Sequence, residues 1–308
     1  MKERTANFFW QGPALGIQEH VCIASFVKHG FVANVYTYND ELCVPVGAIR
    51  KDAADILPRA DLLKYTQAGM SGNLAAFSDA FRYHLLKKHG GWWFDSDVLC
   101  IASVERFIEI FDKNESRISF GYQSKNIIAS GVLHIDDDNI LNSLINKLEE
   151  KGTNFGWGSI GPLLVSDVII SLNLHKYAEN KYTYYPIHYN QIHKMYDPLC
   201  NDWCEDQIRN SLAIHLWNEV RRRTCIPGNM LPPEGSFLYR RFLDVCPELA
   251  SLPTIPLDTL SILFDYADMK ARFARLAKIE KTIMANPIAG NLIRLRRNLH
   301  NFFYRKPE

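Results

Sequence analysis

A chain of 308 residues, 47% of them hydrophobic, can bury one large core, or one core with a smaller appended unit, which is the size of an enzyme. Lys and Arg number 35 against 34 Asp and Glu, and the formal net charge of +1 excludes the strongly basic class that binds nucleic acid over its whole surface. Seven cysteines, odd in number and scattered from Cys22 to Cys246, do not form a disulfide framework; the start MKERTANFFWQG lacks an apolar signal run, so a cytosolic location is expected.

In chain order, Asn7-Phe8-Phe9-Trp10 reads as a short apolar strand, Gln11-Gly12-Pro13 as a loop, and residues 17–28 as an apolar-periodic helix. Phe31 to Tyr38 reads as a second strand. A β-α-β opening of this kind predicts an α/β fold with a mostly parallel central sheet, with ligands held where loops leave the carboxyl ends of its strands. Leu74, Phe77, Phe81 and Leu85 recur at three- and four-residue spacing, which predicts a helix from Asn73 to about His89 with Gly90-Gly91 as its left-handed stop. The aromatic run Trp92-Trp93-Phe94 favours a strand and delivers Asp95 and Asp97 at its exit. Residues 118–122 and 131–135 read as further strands, and 140–150 and 162–172 as helices, with alternation continuing to about residue 225. Asp136-Asp137-Asp138 is an acidic cluster placed to cap the helix that follows it.

From Ser261 onward the pattern is helical and basic, broken at Asn286-Pro287 and Gly290 into two expected helices. The expected division is a catalytic domain over 1–260 and a helical basic extension over 261–308. Residues 266–308 hold ten Lys or Arg against three Asp or Glu, a charge of +7 that leaves −6 for residues 1–265. Lys270, Arg272, Arg275, Lys278 and Lys281, then Arg294, Arg296 and Arg297, alternate with Phe273, Leu276, Leu292, Ile293 and Leu295. Two readings stand side by side: amphipathic helices docking on an anionic membrane surface, or a solvated or oligomer-forming extension.

A buried strand ending in Asp95-Ser96-Asp97 presents two carboxylates to the same side, because side chains alternate along extended backbone. Two such charges together call for a cation, and oxygen ligands with open positions suit Mg²⁺ or Mn²⁺ gripping a diphosphate. Taken alone, Asp-x-Asp also occurs in surface turns; the aromatic strand leading into this one sets it apart.

Residues 73–98, NLAAFSDAFRYHLLKKHGGWWFDSDV, join an Asn-to-Arg helix, a Gly-Gly stop and an Asp-x-Asp strand end in one order and spacing. This segment resembles the sugar-binding DXD region of glycosyltransferase family 32 and of the large clostridial glucosylating toxins. The resemblance implies a GT-A type nucleotide-sugar-binding fold and retaining transfer from a nucleotide diphosphate, with a UDP-sugar as the expected donor. It implies metal and sugar roles for Asp95 and Asp97, with Asp97 the more direct ligand of Mn²⁺ or Mg²⁺. Asp79 and Arg82, three apart on one helical face, correspond to the pair that contacts donor sugar and phosphates; as bare residues they read equally as a surface ion pair. Asn73 and Ser78 are either donor contacts or the start of the helix, and Ser96 falls among the donor contacts. Trp10 resembles the tryptophan beside the nucleotide base, with a core role as the alternative.

Ala213-Ile214-His215-Leu216-Trp217-Asn218 is similar to the late His-x-Trp segment of the same transferases, which implies His215 as third metal ligand and Trp217 and Asn218 near diphosphate and sugar. Gly156 to Pro162 is similar to the start of the helix bordering the acceptor side, though Pro in a first helical turn has its own structural reason. At Ile128-Ala129-Ser130-Gly131 the chain departs from the family pattern, which leaves contacts there unassigned. The expected enzyme is thus a metal-dependent hexosyltransferase acting on a saccharide or glycolipid acceptor in capsule, lipopolysaccharide or other surface glycan synthesis. The alternatives are a protein-glucosylating effector of the same fold, a carbohydrate-binding scaffold without turnover, and an Asp-x-Asp phosphatase. Against the last, Leu99 stands where that motif wants Thr or Val.

Overall fold

The computed structural model describes residues 2–67, 70–112, 117–156 and 158–285. Its centre follows from three short apolar strands that, apart from the first residues of two of them, are buried on both faces. In β1 (Thr5–Phe9), Ala6 and Phe8 enter one core while Phe9 enters another; in β2 (Val32–Thr37), Ala33 and Val35 separate from Tyr36 in the same way. A strand apolar on both faces is stable only inside a sheet covered on both sides. The covers are α1 (Ile17–Lys28), whose Ile23 and Phe26 join one core, and α2 (Leu74–His89), whose Phe77, Phe81 and Leu85 join the other.

The edge strand β3 (Ile49–Asp52), the aromatic strand β4 (Trp92–Phe94) and, after the short β5 (Val98–Cys100) and α3 (Val104–Asp112), the hairpin β6 (Ile118–Ser124) and β7 (Ile127–Ile135) complete a six-stranded sheet. Its order is β3-β2-β1-β4-β7-β6. Pairings β3·β2, β2·β1 and β1·β4 are parallel, whereas β4·β7 and β7·β6 are antiparallel. The expected mostly parallel α/β sheet is therefore present, and its second half runs antiparallel because a hairpin there replaces a helical crossover. The charged edge strand β3, Ile-Arg-Lys-Asp, carries no alternation in sequence; all four of its residues are exposed, as suits an unpaired edge.

Helix starts are set by side chains. Asn73 caps α2, its Oδ1 accepting from the Ala76 N–H at 2.9 Å, and the last turn carries Lys87, Lys88 and His89 toward the negative end of the dipole. Gly90 and Gly91 have φ of +67° and +83°, so they turn the chain from α2 into β4. Asp137 caps α4 (Asp138–Glu150), accepting from Asn139 and Ile140 N–H groups, as the acidic cluster predicts. α5 (Pro162–Ser171) begins on a proline after Gly161. Trp157 lies outside the described residues.

Between residues 172 and 212 the chain departs from β-α alternation and forms short helical turns, ending in α6 (Asn201–Ile208). It then adds β8 (Ala213–His215), which pairs antiparallel with β5 and places His215 opposite Val98. α7 (Asn218–Arg223) and α8 (Phe237–Val245) follow, then the single long helix α9 (Leu257–Ala285). The chain forms two compact units, residues 1–220 with 227–257, and residues 221–226 with 258–308. Both hydrophobic clusters lie in the first. The second helix expected after Asn286 falls outside the described residues.

Candidate metal centre

The aromatic strand β4 ends at Phe94, and the chain then turns so that Asp95 and Asp97 sit at its carboxyl end. The Asp95 N–H donates to the Gly131 carbonyl at 2.8 Å, and the Asp95 carbonyl accepts from the Val98 N–H at 3.0 Å. β8 brings the third group. His215 Nε2 lies 3.8 Å from Asp95 Oδ2 and 3.5 Å from Asp97 Oδ1, and one ligand atom from each of the three residues lies within 4.8 Å of the others. Two carboxylates and an imidazole are a donor set that Mn²⁺ and Mg²⁺ accept, with positions left for phosphate oxygens. Gly131 provides the space: a Cβ there would stand 2.9 Å from Asp95 Oδ2 and 3.2 Å from His215 Nε2.

Arg82 is the electrostatic counterpart. Its guanidinium is buried and pairs with Asp79 Oδ1 at 2.9 Å and Asp95 Oδ1 at 3.2 Å, donates to the Ser130 carbonyl, and lies 4.9 Å from the Trp93 ring centre. Its Nε donates to the Ser78 carbonyl at 3.2 Å, so Ser78 enters the site through its backbone. Burial works against the charge on Asp95, but Arg82 and His215 beside it more than offset this and hold the carboxyl well below its ordinary value. Burial alone would lower the His215 imidazole; Asp97 and Asp95 reverse that and hold it above its ordinary value. Asp79 behaves oppositely, because burial lifts it to about 6 against the pull of Arg82.

Asp79 occupies a tight slot. Ser130 Oγ donates to its Oδ1 at 3.4 Å, and a Cβ on Gly161 would fall 2.5 Å from its Oδ2. The Asp79–Arg82 pair is thus not a surface ion pair. Trp10 is held by its own loop, its Nε1 donating to the Ala14 carbonyl at 3.1 Å above Gly12, and it remains partly exposed at the end of β1. Asn73 serves as the α2 cap, and Ser96 is half-buried in the turn between the two carboxylates.

After β8 the backbone is unusual. Trp217 has φ of +55°, a region that L residues seldom adopt, and this lets the Trp217 N–H approach His215 Nδ1 at 3.2 Å while the next N–H, of Asn218, donates to Asp97 Oδ2 at 2.6 Å. The Trp217 indole donates to the Ile187 carbonyl at 2.8 Å, and the Asn218 amide donates to Glu19 at 2.8 Å. Tyr185 closes the wall, its ring 5.5 Å from His215 and 6.1 Å from Trp217.

The structure therefore brings Asp79, Arg82, Asp95, Asp97, His215 and Asn218 into one network. Sequence reasoning missed Glu19 and Tyr185, and left Ser130 and Gly131 unassigned. Only Gly131 carries a signal, as a glycine in the interior of a strand, which marks close approach of another group.

Two family profiles match adjoining stretches of the chain. Residues 56–137, which carry Asp79 through Asp97, match the capsular polysaccharide synthesis protein family, and residues 136–251, which carry His215, match the alpha 1,4-glycosyltransferase conserved region. No curated protein matches the chain. Among solved structures, a PaToxG glycosyltransferase is similar at 10% identity, with a TM-score of 0.39 and coverage of 81% of this chain and 87% of that one. The stretch that supplies Asp79, Arg82, Asp95 and Asp97 is thus similar to a capsular polysaccharide synthesis family, and the stretch that supplies His215 to a glycosyltransferase region.

Proposed function

We propose that the chain is a metal-dependent, retaining glycosyltransferase that moves a sugar from a nucleotide diphosphate, a UDP-sugar, to a saccharide or glycolipid acceptor in surface glycan synthesis. The observation that carries this reading is the convergence of Asp95, Asp97 and His215 beneath Gly131, at the carboxyl end of a central strand. A bound Mn²⁺ or Mg²⁺ there would offset the charge of the departing diphosphate. The chain's own residues bind and orient. Asp79 and Arg82 form a fixed charge pair at the floor of the site, which suits the donor sugar, and the partly exposed Trp10 indole offers a face for a uracil ring. Retention of the anomeric configuration follows from the family resemblance of residues 73–98.

Release of UDP from a UDP-sugar panel, followed with Mn²⁺ and with a chelator, tests the reading. Metal-dependent release is expected, and Asp97→Ala and His215→Ala are expected to abolish it while keeping the native circular dichroism. Release of phosphate from a monoester in place of UDP, or full activity in both variants, overturns it.

A second observation favours a membrane-surface site of action. α9 exposes Ile262, Tyr266, Met269, Phe273, Leu276 and Ile283 at three-, four- and seven-residue spacing, so they share one face. From residue 270 to 285 the same helix carries Lys270, Arg272, Arg275, Lys278 and Lys281 against Glu280, whereas Asp258, Asp265 and Asp268 stand in its first part. Such a helix fits an anionic lipid surface, where apolar groups enter the headgroup boundary and cations meet lipid phosphates. No helix among the described residues is long and apolar enough to cross a membrane.

A further inference from the structure

Glu19 takes no part in the chemistry above, yet it is 1% exposed, and a carboxylate is removed from water only at a cost that hydrogen-bond partners must offset. It sits in the first turn of α1. Its Oε1 accepts from Asn218 Nδ2 at 2.8 Å, bridging residues 199 positions apart in sequence. Asn218 in turn uses its backbone N–H to hold Asp97 Oδ2 at 2.6 Å. The two oxygens of Asp97 are thereby distinguished. Oδ2 is committed to the backbone, and Oδ1 is left facing His215 Nε2 at 3.5 Å.

The surroundings are fitted to this carboxylate. A Cβ at Gly16 would stand 2.4 Å from Glu19 Oε2, so any side chain there would force the Glu19 carboxylate out of its present position. The start of α1 is also pinned, with the Ile17 N–H donating to the Gly228 carbonyl at 3.1 Å. On the other side, the residue before Asn218 is the left-handed Trp217, a conformation that persists only where its neighbours over-determine it. Glu19 supplies one such anchor from a helix in the same compact unit.

We propose that Glu19 is a positioning residue for the metal centre: by holding the Asn218 amide, it fixes the backbone N–H that orients the Asp97 carboxylate toward Asp95 and His215. This rests on reading Asp95, Asp97 and His215 as metal ligands. A partner beyond the direct ligands acts on metal affinity by restricting the ligand's orientation, and its removal weakens binding without removing a donor atom.

Binding of Mn²⁺ alone to the full chain, followed by the electron paramagnetic resonance of the free ion, tests the inference without relying on turnover. In Glu19→Ala and in Asn218→Ala, which removes the tether but keeps the backbone N–H, the half-saturating Mn²⁺ concentration is expected to rise roughly tenfold. In Glu19→Gln, whose amide oxygen still accepts from Asn218, it is expected to stay within about threefold of the wild type. Wild-type affinity in folded Glu19→Ala, with Asp97→Asn losing binding, overturns the inference and leaves the metal centre standing. Should Glu19→Ala not fold, Asn218→Ala decides by the same criterion. Equal losses in Glu19→Gln and Glu19→Ala also overturn it, since a hydrogen bond would then not be what Glu19 supplies. If the wild type binds no Mn²⁺, or Asp97→Asn binds it normally, the metal-centre reading itself fails.

Discussion

Trp217 and Gly131 show how much of this site is decided by single residues with special backbone or space requirements. Trp217 adopts a left-handed φ that costs an L residue of order 1–2 kcal/mol, and in return two successive N–H groups reach His215 and Asp97. Gly131 is needed for room and not for conformation, since its φ lies outside the left-handed region. Gly131→Ala should therefore fold normally, because alanine suits a strand at least as well as glycine does. The added methyl, 2.9 Å from Asp95 Oδ2, should displace the carboxylate or the imidazole and weaken Mn²⁺ binding by roughly tenfold or more, about 1.4 kcal/mol or above. Isothermal titration beside a thermal melt checks this; unchanged Mn²⁺ affinity in the variant would show that the ion sits elsewhere.

Elements set the site through register. β5 and β8 are each three residues long, yet their antiparallel pairing carries His215 to the two carboxylates, and a one-residue slip would turn it to the opposite face. The aromatic strand β4 carries a second device. His134 of β7 pairs in register with Trp92, 2% exposed, with its ring edge-on to the indole at 4.8 Å. Burial, opposed in part by Glu3, pulls this imidazole down to about 3. In the unfolded chain the ring takes a proton below about 6.5, whereas in the fold it takes one only near 3, so between these values the unfolded state binds the extra proton. Stability from this group is complete above about 6.5 and falls as the pH drops toward 3, by at most about 1.4 kcal/mol per pH unit. Urea unfolding midpoints between pH 4.5 and 7 should fall less steeply in His134→Leu than in the wild type. Parallel profiles would mean that His134 keeps its ordinary pKa in the fold.

At the scale of the whole molecule the two units differ in what they bury. Both hydrophobic clusters belong to residues 1–220 and 227–257, and among the described residues of α9 only Leu260 is buried. Deleting residues 258–308 should leave the cooperative unfolding of the first unit and its Mn²⁺ binding in place. Binding to vesicles of anionic lipid should drop to the level seen with neutral lipid, and salt should weaken the wild-type interaction in the same way. Undiminished vesicle binding in the truncated chain would sink the membrane reading of α9.

Local sequence signals mark most of the elements that surround the candidate site: apolar runs buried on both faces give β1, β2 and β4, the 73–89 periodicity gives α2, and Asn73, Asp137 and Pro162 mark helix starts. Asp79, Arg82, Asp95 and Asp97 are legible through the order and spacing of residues 73–98, and His215 through the separate His-x-Trp segment at 215–217. Tertiary structure alone decided what depends on contacts between distant segments. The antiparallel half of the sheet arises from a hairpin whose strands look like any others in sequence, and the charged edge strand β3 has no apolar alternation to announce it. Gly131 and Gly161 matter through the atoms that their missing side chains leave room for, and Glu19 through a hydrogen bond spanning 199 positions. Burial sets the rest. It changes the Asp79–Arg82 pair from a weak surface ion pair into a desolvated charge network, and no sequence pattern records how far a side chain lies from water.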